Sequence, residues 1–170
     1  MNTLPDANVL LNLMLIEIQS RIAQIQVPFA LVGIESGGAL ILQHLLPQLP
    51  SSLTFGTLDV SFYRDDYHAR GLKQKNRPSR IPFAVDDVHL ILIDDVFYTG
   101  RTTRAAINAV FDYGRPASIH LLVMVWRQGQ ELPIVPHFAA QHIRLGASQT
   151  LALRSDNQGV LAFGLEDSQQ

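Results

Sequence analysis

Apolar residues recur along the chain with two distinct periods. Leu11, Leu15, Ile18, Ile22 and Ile25 step by four and three, which predicts an amphipathic helix packing one side on the protein body, ended by Pro28. Phe29 to Ile34 is a short continuous apolar run and reads as a buried strand. Gly33 to Gly38 then makes a tight connection into a second helix carrying Ile41, Leu42, Leu45 and Leu49, limited by Pro47 and Pro50. Leu53 to Phe62 reads as the next strand, and the aliphatic stretch from Val88 to Leu92 as another. After it, Thr103, Ile107 and Val110 recur at helical spacing until Gly114 and Pro116 stop the helix, and Ile119 to Val125 is again an apolar run, interrupted by His120. Strand, helix, strand therefore occurs twice. That order predicts an α/β fold with a central, mostly parallel sheet and helices on both faces.

Ligands in such folds bind beyond the carboxyl ends of the strands. Asp94 and Asp95, the Ile34 to Gly38 turn and the Trp126–Arg127 pair all occupy such ends, so three segments are expected to converge on one cleft. Ile93 to Thr102 reads IDDVFYTGRT. It offers Asp94 and Asp95 as acceptors for a pair of hydroxyls, then a turn from Val96 to Arg101 whose following helix presents unpaired N–H groups to a phosphate. Thr99 and Thr102 add hydroxyl donors, and Gly100 allows close backbone approach. The geometry suits a sugar phosphate. The same residues are compatible with ordinary turn chemistry and a Thr-Gly-x-Thr helix cap. Both aspartates are expected on a solvent-facing loop.

Charge is unevenly spread. The formal net charge is −2, which argues against a globally basic nucleic-acid binder, yet Arg64, Arg70, Lys73, Lys75, Arg77 and Arg80 crowd into one polar excursion that runs to Pro82. A solvated surface loop is one reading of residues 64–82; a mobile lid that carries positive charge over a polyanion is the other. The 170 residues, 47% of them apolar, suit one domain spanning 1–170, with a short polar tail at 166–170. Cysteine is absent, which removes disulfides and thiolate metal sites and is compatible with a cytoplasmic location. The apolar stretch from Val9 is interrupted by Asn12, Glu17, Gln19 and Arg21, so neither a membrane span nor a leader is expected. His120, His137 and His142 read as structural or surface residues, and no residue is assigned as a metal ligand.

LILIDDVFYTGRTTR, Leu90 to Arg104, resembles the phosphoribosyl pyrophosphate (PRPP) motif of type I phosphoribosyltransferases. DVSFYRDD at Asp59 to Asp66, DYGRPASI at Asp112 to Ile119 and ELPI at Glu131 to Ile134 follow the order found in one subfamily. On these motifs the chain is similar to the pyrimidine operon regulatory protein/uracil phosphoribosyltransferase (PyrR) family from about Leu11 to Leu151. The resemblance implies the reaction of uracil with PRPP to UMP and pyrophosphate, with Mg2+ held mainly by the substrate's oxygens.

It also implies residue roles. Asp94, Asp95, Val96, Phe97, Tyr98, Thr99, Gly100, Arg101 and Thr102 would bind PRPP or UMP, and Glu35, Ser36, Gly37 and Gly38 would form the pyrophosphate loop. Arg64, Arg77 and Arg80 would act from the lid, Arg77 as a catalytic cation beside Asp94 and Asp95. Val125, Trp126 and Arg127 would lie near the nucleobase. Familiar members carry arginine at Gly37 and Asp-Arg-Gly-His-Arg where this chain reads Trp126-Arg127-Gln128-Gly129-Gln130. Trp126 would stack on uracil or cover a subunit contact. Tyr98, where purine-using relatives carry aspartate, would shape the loop or donate a hydrogen bond. A homodimer or higher homo-oligomer and a leader-RNA hairpin are the implied macromolecular partners. The alternatives left open are a UMP- or PRPP-sensing RNA attenuator with little catalysis and a phosphoribosyltransferase for another base.

Overall fold

The computed structural model describes residues 4–24, 27–61 and 78–167. Helix α1 (Ala7–Gln24) precedes strand β1 (Phe29–Ile34), helix α2 (Gly37–Leu45) with a short 3-10 turn at Leu46–Gln48, and strand β2 (Thr54–Leu58). Strand β3 (His89–Phe97), helix α3 (Arg101–Phe111) and strands β4 (Ser118–Arg127) and β5 (Phe138–Ile143) follow, then β6 (Gln149–Ser155) and β7 (Leu161–Asp167). The five-stranded sheet has the order β2-β1-β3-β4-β5, and every neighbouring pair in it is parallel.

Both faces of this sheet are covered, which is why its central strands read as unbroken apolar runs. One face packs Leu31, Ile91, Ile93, Leu122 and Met124 against Leu10, Met14 and Ile18 of α1 and Ile41 and Leu45 of α2. The other packs Ala30, Val32, Leu90, Leu92 and Leu121 against Ala105, Ala106, Ala109 and Val110 of α3. Met14 and Ile18 are fully buried, and removing such a side chain from water contributes about 1.5–3 kcal/mol each.

The structure departs from the sequence reading in several places. The strand expected over 53–62 stops at Leu58, because Asp59 bends the chain: its Oδ1 accepts the Ser61 N–H (2.8 Å) while its own N–H donates to Ser79 Oγ (2.8 Å). β3 continues to Phe97, held by the pairs Asp94↔Val123, Val96↔Val125 and Phe97↔Trp126, so Asp94 and Asp95 belong to the strand rather than to a solvent-facing loop. Strands β5, β6 and β7 carried no expectation. β6 and β7 form an antiparallel hairpin whose Leu151, Leu153, Leu161 and Phe163 join the core beneath α1. Its turn is tied by Asp156 Oδ1, which accepts the N–H groups of Gln158 and Val160 (both 2.8 Å). Glu166 and Asp167, assigned to the tail, pair with Thr150 and Gln149 in β7.

Candidate functional site

The strand order places the site. β1 connects to β2 through α2, β3 connects to β4 through α3, and the two crossovers proceed to opposite edges of the sheet and along opposite faces. The chain therefore reverses direction between β1 and β3, and a crevice opens there at the carboxyl ends. The Glu35–Ser36 turn closes β1, and the Glu35 N–H donates to Leu58 O (2.9 Å), fastening it to the end of β2. The Glu35–Ser36 peptide is cis.

Helix α2 begins directly over β3. A Cβ on Gly38 would lie 1.9 Å from the Ile93 carbonyl oxygen, and one on Gly37 would lie 2.2 Å from the Asp95 carboxyl carbon. No other residue type allows this approach without displacement. The room that an arginine at position 37 would occupy is filled by the Asp95 carboxyl. An anion over the first turn of a helix is favourably placed, since the N–H groups there have no intrahelical acceptor.

Asp94 is only 6% exposed and Asp95 is half-buried. The Asp95 N–H donates to Asp94 Oδ1 (2.9 Å), and the Val96 N–H donates to Asp95 Oδ1 (2.9 Å). These contacts lock both side chains against the strand backbone, so neither carboxylate swings freely in solvent.

The loop after β3 leads into α3 through Gly100, which takes the left-handed conformation (φ 90°) as the N-cap and supplies no side-chain cap. Thr99 Oγ1 accepts the Arg101 N–H (3.3 Å), so part of the expected Thr-Gly-x-Thr turn is present. The Arg104 N–H reaches Gly100 O (2.9 Å), the first bond of α3, and the N–H groups of a first helical turn have no acceptor within the helix.

Residues after β4 pack over this loop. The Arg127 guanidinium lies 3.8 Å from the centre of the Tyr98 ring and donates to Gly146 O (3.0 Å); Arg127 is only 4% exposed. A Cβ on Gly129, at φ 137°, would come within 2.1 Å of the same ring. Tyr98 thus takes the loop-packing role, and the glycine at 129 is what admits it. Trp126 meets Phe97 edge-on (5.6 Å) and overlaps His142 at 4.9 Å. One side of Trp126 remains accessible to a cavity of about 400 Å³, lined also by Gln128, Gly129, Gln130, His142 and Arg144.

Among the sequence-predicted residues, the structure brings together Glu35 to Gly38, Asp94 to Thr102 and Val125 to Arg127 through the adjacent strands β1, β3 and β4. Val125 itself is buried in the core under α1 and α2. Arg64 and Arg77 lie outside the described residues. Arg80 does not ride on a free lid: its backbone is bonded to Thr57 in both directions (2.7 and 2.9 Å) along the outer edge of β2. Sequence reasoning missed Glu131, which was noted only as part of ELPI; its charge complementarity with Arg101 was the available signal. His142, read as structural or surface, packs on Trp126. His137 is structural, its Nδ1 accepting the Leu121 N–H (3.2 Å). No helix among the described residues is long and apolar enough to cross a membrane.

The model of the phosphoribosyl transferase domain family matches residues 13–141. A protein named bifunctional protein PyrR from Pseudomonas fluorescens is 43% identical over 153 residues, covering 89% of this chain and 90% of its own length. Proteins of the same name from Pseudomonas aeruginosa (48% over 122 residues, 72% of each chain) and Nitrosococcus oceani (44% over 126 residues, 73% and 71%) also match. Among solved structures, a hypoxanthine phosphoribosyltransferase from Staphylococcus aureus superposes with a TM-score of 0.61 at 16% identity, over 84% of this chain and 78% of that one. A purine phosphoribosyltransferase from Pyrococcus horikoshii does so with 0.57 at 19%, over 79% and 83%. These structures share the fold; the closer sequence relatives and the family match place the chain itself: it belongs to the phosphoribosyl transferase family, in the branch of the bifunctional PyrR proteins.

Proposed function

We propose that this chain transfers the phosphoribosyl group of PRPP to uracil, giving UMP and pyrophosphate. The observation that carries the reading is the placement of Asp94 and Asp95 at the β1/β3 reversal, between the N-termini of α2 and α3. In the reaction, uracil N1 bonds to ribose C1, the C1–O bond to pyrophosphate breaks, and the N1 proton leaves to solvent. Positive charge develops on the ribose as the leaving group departs. Asp94 and Asp95 accept hydrogen bonds from the ribose 2- and 3-hydroxyls and stabilise that charge from fixed positions. Neither is assigned as a proton-transfer base.

The 5-phosphate sits against the loop Val96 to Thr102, where Thr99, Gly100 and Thr102 supply hydroxyl and N–H donors. Glu35, Ser36, Gly37 and Gly38 face the leaving group. Glu35 and Asp95 both bring negative charge there, so the polyanion needs cations from elsewhere. Arg77, with Arg64, is assigned to that task on its sequence position. The donor set at the crevice is carboxylate oxygen, which suits a hard cation; Mg2+ carried by the diphosphate would screen the same repulsion. The cavity beside Trp126 fits the nucleobase, with an indole face for stacking and amides at Gln128 and Gln130.

The test is a panel of nucleobases incubated with PRPP and Mg2+, with nucleotide product resolved by chromatography. UMP formed with uracil at well above the rate for other bases supports the reading. Preferential turnover of a purine would reassign the base; no turnover with any base, beside tight UMP binding, would leave a nucleotide sensor. The name of the relatives favours a second activity, and leader-RNA binding by a homo-oligomer is that second reading.

A further inference from the structure

We propose that Glu131 is a positioning residue for the phosphate-facing loop, acting through Arg101 and Thr99; the proposal rests on the phosphate site assigned above. The loop has little side-chain support of its own. Its N-cap is a glycine without a side-chain bond, and the Thr99 Oγ1 contact to the Arg101 N–H is long.

The missing support comes from residues 126–132, which touch the loop residue by residue. Trp126 meets Phe97, and Arg127 and Gly129 enclose Tyr98. The N–H groups of Glu131 and Leu132 both donate to Thr99 O (3.0 and 3.2 Å). A Cβ added to Gly100 would meet the Leu132 side chain at 3.4 Å. Finally, Arg101 Nε and its terminal nitrogen reach the same Glu131 oxygen at 2.9 and 2.8 Å. Glu131 is the residue in this segment that binds the loop through both its backbone and its side chain.

The ion pair is about half-exposed on each side, so its contribution to stability is small. Its effect is geometric. Holding the Arg101 side chain back along residues 131–132 fixes the first residue of α3, and with it the direction of the N–H groups that follow. The same segment lines the cavity beside Trp126 through Gln128, Gly129 and Gln130, next to Glu131 in the chain.

The test uses calorimetric titration of the full chain with ribose 5-phosphate, UMP and uridine. Glu131→Ala is expected to weaken the two phosphate ligands about five- to tenfold, the scale of one hydrogen bond, while uridine affinity and the melting temperature stay at wild-type values. Glu131→Gln keeps an acceptor oxygen for Arg101 and should recover part of the loss. In an Arg101→Gln background, Glu131→Ala should add little, because both changes break one link. Unchanged phosphate affinity in Glu131→Ala overturns the proposal. So does an equal loss for uridine, which would mark a general structural role. Tighter phosphate binding also overturns it, since it would mean that Glu131 competes for Arg101. If the wild-type chain binds uridine but neither phosphate ligand, the phosphate-site reading itself fails, and the proposal with it.

Discussion

Gly37 and Gly38 offer a paired perturbation in which one added methyl group separates chemistry from folding. In Gly37→Ala the new Cβ would lie 2.2 Å from Asp95 Cγ and 2.5 Å from both carboxyl oxygens. Ordinary contact begins at 3.4 Å, so the carboxyl must retreat by about 1 Å, and a displacement of that size at a reacting centre costs on the order of a hundredfold. We expect kcat/KM for UMP synthesis to fall about a hundredfold, equivalent to about 2.7 kcal/mol of transition-state stabilisation. The melting temperature should fall less than in Gly38→Ala, because what moves is a side-chain carboxyl, released from the Val96 N–H, and not strand backbone. In Gly38→Ala the methyl would stand 1.9 Å from the Ile93 carbonyl oxygen, which belongs to the central strand. The sheet cannot retreat so easily, and overpacking of this kind costs about 1–3 kcal/mol. At about 2–4 °C per kcal/mol for a chain of this size, the melting temperature should drop by several degrees. Both variants would be assayed by initial rates with saturating Mg2+ and by thermal melts followed by circular dichroism. Wild-type turnover in Gly37→Ala, or a wild-type melt in Gly38→Ala, would refute the close approach of α2 to β3 on which the site depends.

Replacing Asp94 and Asp95 together by Asn should cut turnover by at least about two orders of magnitude; near-normal rates would remove them from the mechanism. Because Asp94 is buried within β3, a modest fall in melting temperature is expected alongside, and single variants would separate the two effects. His120 is held below its ordinary pKa of 6.5, first by burial and then by His137, Arg21 and His89, so the folded state favours neutral imidazole. The stability it supports is present above the unfolded pKa and is lost as pH falls below it; urea midpoints should decline between about pH 7.5 and 5.5, and His120→Leu should flatten that decline. Leader-RNA binding should be measurable at low salt and fall steeply as salt rises. A UMP-stimulated complex that persists at physiological salt would instead make regulation the better-supported activity.

The apolar pattern by itself determined the sheet's interior. Ala30 to Ile34, LILI and Leu121 to Val125 are buried on both faces, and such strands need no partner to be recognised. Local chemistry also marked the passage from β3 into α3, where two carboxylates and a Thr-Gly turn stand before a helix, and the likeness to a known motif gave them roles, although the strand runs past both carboxylates to Phe97. Tertiary structure decided what lay at a distance. The edge strand β5 reads FAAQHI, too short and too mixed to announce itself, and the hairpin that follows is stabilised by four apolar side chains that join the core packed by α1 and α2. Strand order placed the crevice between β1 and β3, because pairing brings together residues about sixty positions apart. The same distance conceals why position 37 is glycine: the reason is the carboxyl of Asp95. Tyr98, Arg127, Gly129 and Glu131 likewise acquire their meaning only where β3 and β4 lie side by side. A one-dimensional pattern records which residues seek burial; contact between loops depends on the register of the strands that carry them.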